Sequence, residues 1–374
     1  MNHSLTSLFA LFAAAPAAMG SPLLSVGEHA DLHATVDGSV AYTDNLTLDE
    51  FDELDDFRFI VQPGLSFEVG RGMTNLNAAL RASYGIVRYA DNSVFDTELW
   101  NVVANANYSG PRYTIGVNGG YIERQQNEND INANRELVTQ KTAFAGGDIR
   151  YKISGKFSLG AGGEAEFIEY EGGTNLDRDK FTVPVNLFYE LTPKLDATAG
   201  VRYRQTDVDG GTDTDDYFYN VGLTGELTEK FSTTFKVGYQ DRDFTGGRDS
   251  EGTLTLVSAS TFDVSTRTNI RFYLDRDFAT SGDGNSVERT SARATVFYVF
   301  TPRLSGNLTG AYTFSDYQTA PREDDTYRVR VGADYRINEL WSVDAFYTFR
   351  DNDSNQRGSS YTENLVQLGA NFRY

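Results

Sequence analysis

The chain has 374 residues, 33 basic against 53 acidic side chains, a formal net charge of -20 and no cysteine. The missing cysteines exclude a disulfide framework, a thiol nucleophile and a thiolate metal site, and the acidity excludes a nucleic-acid partner because nothing supplies a basic footprint. A hydrophobic fraction of 40% is low for a buried core of this length; it suits a chain that turns an apolar face to something other than itself.

The first element is a short apolar run, residues 5–19, too short to span a membrane as a helix. Ala15-Pro16-Ala17 and Ala18-Met19-Gly20 both fit a small-residue cleavage site, so residues 1–20 read as a secretory signal peptide and 21–374 as the exported domain. The segment before the run carries no Lys or Arg, only His3 and the amino terminus, and the competing reading is a buried N-terminal helix.

From residue 30 the chain alternates apolar and polar residues for about ten positions, turns, and alternates again. Leu32, Ala34, Val36, Val40 and Tyr42 open the series, and Phe57, Phe59, Val61, Leu65, Phe67 and Val69 continue it. After Gly70-Arg-Gly-Met73 come Leu76, Ala78, Leu80, Ala82, Tyr84 and Ile86. Further on, Phe181, Val183, Val185, Leu187 and Tyr189 repeat the pattern, as do Trp341, Val343, Ala345, Tyr347 and Phe349. The chain ends on a strand whose apolar face is Val366, Leu368, Ala370, Phe372 and Tyr374. Period 2 with one apolar and one polar face is the signature of a strand with two different surroundings.

Every second connection is tight: Thr192-Pro-Lys194, Thr228-Glu-Lys230, Thr301-Pro-Arg303 and Ile337-Asn-Glu339. Those between are longer, polar and acidic: 43–56, 89–98, 123–136, 170–180, 205–216, 241–252, 275–288, 315–326 and 351–360. The tight turns belong to an internal repeat, as Tyr189-Glu-Leu-Thr-Pro-Lys-Leu195 and Tyr298-Val-Phe-Thr-Pro-Arg-Leu304 show. A repeated hairpin of about 40 residues also fits a β-propeller, but a propeller blade has shorter strands and no strict alternation of turn lengths. The pattern predicts an all-β, transmembrane, up-and-down antiparallel β-barrel of about 18 strands (16–18), with short periplasmic turns and long acidic extracellular loops. Both chain ends then fall on the short-turn side, and residues 364–374 must pair antiparallel with residues 30–42 to leave no edge in lipid.

Aromatic residues flank both kinds of connection. Tyr151, Phe157, Phe231, Phe300 and Trp341 adjoin short turns; Tyr42, Trp100, Tyr121, Tyr203, Tyr239, Phe314 and Phe349 adjoin long ones. Amphipathic rings favour the two membrane–water boundaries. If the apolar faces meet lipid, the opposite faces line a polar lumen, with Asn75, Asn77, Arg81, Asn101, Asn105 and Asn307 among its residues. A barrel this wide leaves an aqueous channel unless something enters it. Connections 123–136 and 275–288 are both long enough to fold inward, and the sequence does not choose between them.

Late strands direct Arg271, Arg289, Arg293, Arg328, Arg330 and Arg350 into the lumen, with Asp334 and Asp344 nearby. One reading is a basic wall that guides anionic solutes; the other is a set of ion pairs that stiffen the barrel and select nothing. The acids Asp49, Glu50, Asp52, Glu53, Asp213, Asp215, Asp216, Glu323, Asp324 and Asp325 sit in the long connections, as a solvated surface or as cation-bridged contacts to lipopolysaccharide. No connection has EF-hand spacing. The histidines are His3, His29 and His33, and no G-x-S-x-G, H-E-x-x-H or Walker motif occurs, so no catalytic, cofactor or metal site is expected.

The Thr-Pro-Lys/Arg-Leu turns at 192–195 and 301–304, the strand Gly-Val-Arg-Tyr-Arg at 200–204 and the ending Gly-Ala-Asn-Phe-Arg-Tyr resemble the putative β-barrel porin 2 family of outer-membrane proteins. The likeness runs over the whole exported chain. It implies passage of solutes or polymer, since members are often encoded beside capsule or exopolysaccharide genes, and it carries over no site residue. The expected protein is a Gram-negative outer-membrane barrel and not an enzyme. It is read as a passive porin-like channel for small or anionic, saccharide-type solutes, or as a barrel associated with exopolysaccharide export. The alternative is a non-conducting surface or secretion accessory acting through its acidic loops. Expected partners are outer-membrane lipid and lipopolysaccharide, the barrel-assembly machinery through the closing strand, and anionic solutes or polysaccharide.

Overall fold

The structure, a computed structural model, describes residues 22–126, 137–318 and 320–374. The expected signal peptide over 1–20 and most of the 123–136 connection lie outside the described residues. In chain order the strands are β1 (Leu24–Val26), β2 (Ala30–Thr43), β3 (Asp56–Val69), β4 (Leu76–Tyr89), β5 (Thr97–Ser109), β6 (Tyr113–Gln126), β7 (Val138–Lys152), β8 (Phe157–Glu171), β9 (Arg178–Thr192) and β10 (Leu195–Val208). They continue as β11 (Thr214–Thr228), β12 (Phe231–Phe244), β13 (Glu251–Ser265), β14 (Thr268–Thr280), β15 (Ser286–Thr301), β16 (Leu304–Tyr317), β17 (Arg322–Arg336), β18 (Trp341–Ser354) and β19 (Tyr361–Arg373).

Each of β2–β19 pairs antiparallel with its sequence neighbour, and β19 returns to β2, so the eighteen strands close into a barrel. The closing register runs from Leu365 opposite Thr43 to Arg373 opposite Thr35, and Tyr374 and Ala34 exchange backbone hydrogen bonds of 2.8 and 2.9 Å. The short β1 pairs only with the start of β2, outside the closed wall.

The tight turns share one device. The side-chain oxygen of Thr192, Thr228, Ser265 and Thr301 accepts the backbone N–H two residues on, at 3.2–3.4 Å, and Asn338 does the same for Leu340 at 2.9 Å. This side-chain-to-backbone bond replaces one turn of the ladder, which explains why the sequence repeats a hydroxyl there. On the opposite side the strands run past the expected loop boundaries. The expected 205–216 loop is strand up to Val208 and again from Thr214, and 275–288 is strand except for 281–285. Strands of 13–16 residues exceed the 9–11 needed to cross a bilayer, so their polar ends extend the wall into water. Polarity marks where lipid stops; it does not mark where pairing stops.

The lipid-facing side is apolar and exposed, with Val221, Leu308, Val331 and Leu368 each at least half accessible. Aromatic pairs bracket it. Phe157–Tyr189 and Trp341–Phe372 lie on the turn side, with ring centroids 5.0 and 4.9 Å apart. Tyr84–Trp100 and Tyr203–Tyr217 lie on the loop side, at 4.6 and 5.3 Å.

Candidate functional site

The lumen is uneven, and glycine is one cause. On β11 and β12 a Cβ at Gly222 would sit 2.0 Å from the Phe235 carbonyl oxygen, and one at Gly238 would sit 1.9 Å from that of Tyr219. Only glycine allows this approach, which sharpens the wall into a corner. Across that corner Lys236 on β12 reaches Asn186 on β9 at 2.9 Å, three strands away. Beside it Arg150 on β7 pairs with Asp196 on β10 at 2.8 Å while its guanidinium lies over Phe188. Asn186, Asn220, Phe218, Lys236, Gln240 and Thr255 face the lumen there and are buried. This part of the barrel is packed solid.

The hairpin of β14 and β15 closes more of the mouth. Pairing of β14 to β13 stops at Arg276 opposite Leu256, although β13 continues to Glu251 against β12. Beyond Arg276 the hairpin leaves the wall and crosses toward β9–β12. There the Asp277 carboxylate takes Arg202 at 2.7 Å and Arg204 at 3.2 Å. Arg204 donates to the Phe278 carbonyl at 2.7 Å, and Arg178 donates to those of Thr280 and Ser281 at 3.0 and 2.9 Å. Arg242 donates to the Ala279 carbonyl at 2.9 Å and holds Asp216 at 2.7 and 2.8 Å, with both side chains 1% exposed. The Leu176 amide meets the Gly282 carbonyl at 2.7 Å. The connection 275–288, one of the two long enough to fold inward, does so as a paired hairpin; most of 123–136 lies outside the described residues.

The connection 44–55 also turns in. Leu46 and Leu54 pack with Ile60, Val87, Tyr89 and Leu99, which lie on the lumen faces of β3, β4 and β5. Asn45, fully buried, ties it down by donating to the carbonyls of Asp49 at 2.8 Å and Thr362 at 2.9 Å.

Opposite the packed corner, the wall from β14 to β2 stays open to water. All six expected arginines lie on its inner face, because each alternates with a lipid-facing residue: Arg271 beside Phe272, Arg293 beside Ala292, Arg328 and Arg330 beside Val329. Register aligns three of them. Arg293 is opposite Ala311, Ala311 is opposite Arg328, and Arg328 is opposite Arg350, giving one row across β15–β18. Arg350 pairs with Glu363 at 3.7 Å. Arg271 lies over Phe297 at 4.7 Å and Arg330 over Phe346 at 3.6 Å. Among the described residues no ion pair joins Arg271, Arg293, Arg328 or Arg330 to a carboxylate. Arg289 lies one strand from Asp277 in the hairpin that crosses the mouth.

Sequence reading did not single out Arg178, Arg202, Arg204 or Arg242. Their inward period-2 spacing was visible at 202 and 204, but their partner arrives from a hairpin four strands away. His29 and His33 sit at the turn-side end of β2: His29 Nδ1 meets the Arg71 carbonyl at 2.9 Å, and His33 Nδ1 has no partner. Among the described residues no group of three or more His, Asp or Glu is placed to hold a metal ion.

A closed antiparallel barrel with an apolar belt, two aromatic girdles and a charged inner wall is an outer-membrane barrel of the porin type. The chain belongs to the family described as putative beta-barrel porin 2, whose model matches residues 29–374. No curated protein sequence matches it. Among solved structures it is similar to the outer membrane protein opdK from Pseudomonas aeruginosa, at 10% identity and a TM-score of 0.48, covering 92% of this chain and 99% of that one. It is similar also to OccK3 (OpdO) from Pseudomonas aeruginosa, at 15% identity and 0.48, covering 92% and 96%. OccAB4 from Acinetobacter baumannii follows at 12% identity and 0.48, covering 92% and 98%.

Proposed function

We propose that this barrel is a passive channel whose open groove favours small anionic solutes, saccharide acids among them. The observation that carries the reading is the arginine row. Like charges directly opposite one another on a sheet are destabilising by a few tenths of a kcal/mol or more, and Arg328 faces Arg350 with Arg293 two strands beyond, across Ala311. Such a row persists at little cost if the lumen holds water and mobile anions. In a low-dielectric tube it raises the local anion concentration. The reading is of a transporter and not of an enzyme: an inner wall of this kind offers charge and hydrogen bonds to a passing solute.

A second reading, a non-conducting surface or secretion barrel, is favoured by the two elements that turn into the mouth. Planar-bilayer recording separates the two. Defined conductance steps, with a reversal potential in a salt gradient on the anion side, support the channel. An electrically silent bilayer containing folded protein overturns it, and a cation-side reversal potential overturns the anion preference. Arg293→Gln with Arg328→Gln is expected to move the reversal potential toward cations while the step size changes little.

A further inference from the structure

The same strand pair carries a second charge arrangement of opposite sign. On β17 and β18, Asp334 lies directly opposite Asp344, as Arg328 lies opposite Arg350. Exchanging the residues at 344 and 350 would give two cross-strand ion pairs. The wall instead keeps the cations toward the loop side and the carboxylates toward the turn side. Asp37, exposed in the lumen on β2, extends the acidic side: it faces Asn371, which donates to Asp344 at 2.9 Å.

Between Arg330 and the carboxylates the wall is narrow in side chains: the Asn307 amide lies over Gly332, within 3.0–3.4 Å of where a Cβ would stand. The rung between them is Gly332 opposite Phe346. Arg330 starts one rung above and leans down, so that its guanidinium lies 3.6 Å from the centre of the Phe346 ring. That brings it to within one rung of Asp334 and Asp344, about 7 Å along the strands. No ion pair closes between them. The other nearby cations are engaged elsewhere: Arg336 donates to the Pro302 carbonyl at 3.1 Å, and Arg373 pairs with Glu68 at 3.1 Å. The Arg330 guanidinium, held on the Phe346 ring, and the carboxylates of Asp334 and Asp344 therefore stand apart on the lumen wall, with the Asn307 amide over Gly332 between them and Asp344 leaning over Gly369.

We propose that this stretch of the lumen wall is a station for small zwitterions, solutes carrying an anionic group and an ammonium a few ångströms apart. The anionic group takes Arg330, and the ammonium takes Asp334 and Asp344. A plain anion is drawn in by the upper arginines but meets the carboxylate pair below. A zwitterion satisfies both poles and carries no net charge past either. The proposal rests on the channel reading and narrows its solute class.

The test is tracer uptake into proteoliposomes with three probes: taurine, a zwitterion; isethionate, its anionic analogue with hydroxyl in place of ammonium; and erythritol, which is neutral. Taurine is expected to enter about tenfold faster than erythritol, which corresponds to about 1.4 kcal/mol of attraction at the two poles. Asp334→Asn with Asp344→Asn should bring taurine down to the erythritol rate and leave isethionate equal or faster. Arg330→Gln should slow both charged probes. Heat-modifiable migration on gels reports that each variant is a folded barrel, and the Asp→Asn pair preserves shape if the arginine variant does not fold. If wild-type protein takes up taurine no faster than erythritol while still favouring isethionate, the zwitterion station is wrong and the anion channel stands. If isethionate is also no faster than erythritol, the anion reading falls with it. Taurine uptake unaffected by the Asp→Asn pair overturns the assignment to these residues.

Discussion

At the residue scale, the acids of the outer connections have a use that composition does not reveal. Asp96, Asp177 and Asp213 each accept the backbone N–H at the end of the preceding strand: Tyr89 at 2.8 Å, Tyr170 at 2.8 Å and Val208 at 2.9 Å. Asp56 likewise gathers the amides of Ala90, Asp91 and Asn92 at 3.0–3.2 Å. A carboxylate is a strong acceptor for amides that the ladder leaves free. Asp213→Ala should therefore cost about 1 kcal/mol, read as earlier thermal unfolding on gels, with conductance unchanged. Asp216 is different, because it lies in the ion-pair network under the hairpin. Asp216→Asn leaves Arg242 buried without its counter-charge, at a cost of about 3 kcal/mol. The expected outcome is a noisier channel with a larger mean conductance as the hairpin loosens; an unchanged trace would show that the network does not hold the hairpin.

At the element scale, the hairpin of β14 and β15 decides how much of the mouth is open. It owes its position to two things: β14 stops pairing with β13 at Arg276, and Arg178, Arg202, Arg204 and Arg242 await it on the far side. Replacing 279–287 by a two-residue turn should raise single-channel conductance and leave the reversal potential on the same side, since the arginine row lies below it. The corner opposite depends on Gly238. Gly238→Ala forces a Cβ against the Tyr219 carbonyl and should destabilise the barrel by about 3 kcal/mol, seen as a lost heat-modifiable band at moderate temperature. Strands, turns and facing were legible in the sequence because period 2 is local: Val366, Leu368 and Ala370 announce their side by themselves. The hairpin's inward path was not, since nothing within 275–288 tells which distant strand carries its partners. The packed corner was hidden for the same reason: Gly222 and Gly238 read as ordinary strand glycines until their neighbours' carbonyls are in place.

At the scale of the whole molecule, closure is the statement most exposed to test. Gly38 lies opposite Ala370 on the lipid-facing side of the β2–β19 seam. Directly opposed residues in an antiparallel pair have Cα atoms about 4.5–5.5 Å apart, within disulfide reach. The chain has no cysteine to interfere. Gly38→Cys with Ala370→Cys should form an intramolecular bond on mild oxidation and raise the thermal transition; failure to cross-link in a folded sample would contradict the closed barrel. The closing pair was legible in outline, because the apolar alternation of the last strand needs a partner and the first strand was the one left over. Its register was not, since it depends on how all eighteen strands stagger around the axis.

The acidic rim has a consequence for the water around it. With Asp52, Glu53, Asp55, Asp243, Asp249 and Glu323 exposed at the loop side, the entrance is a small Donnan compartment that enriches cations and thins out anions. Its reach is the screening length, about 30 Å in 0.01 M salt and about 8 Å at 0.15 M. In dilute water the rim's field extends across the entrance and a free anion is turned away before it meets the arginines. In saltier water the same entrance is electrically transparent. On the channel reading proposed above, a solute with no net charge passes the rim alike in both, so its traffic is set by the wall inside and not by the weather outside.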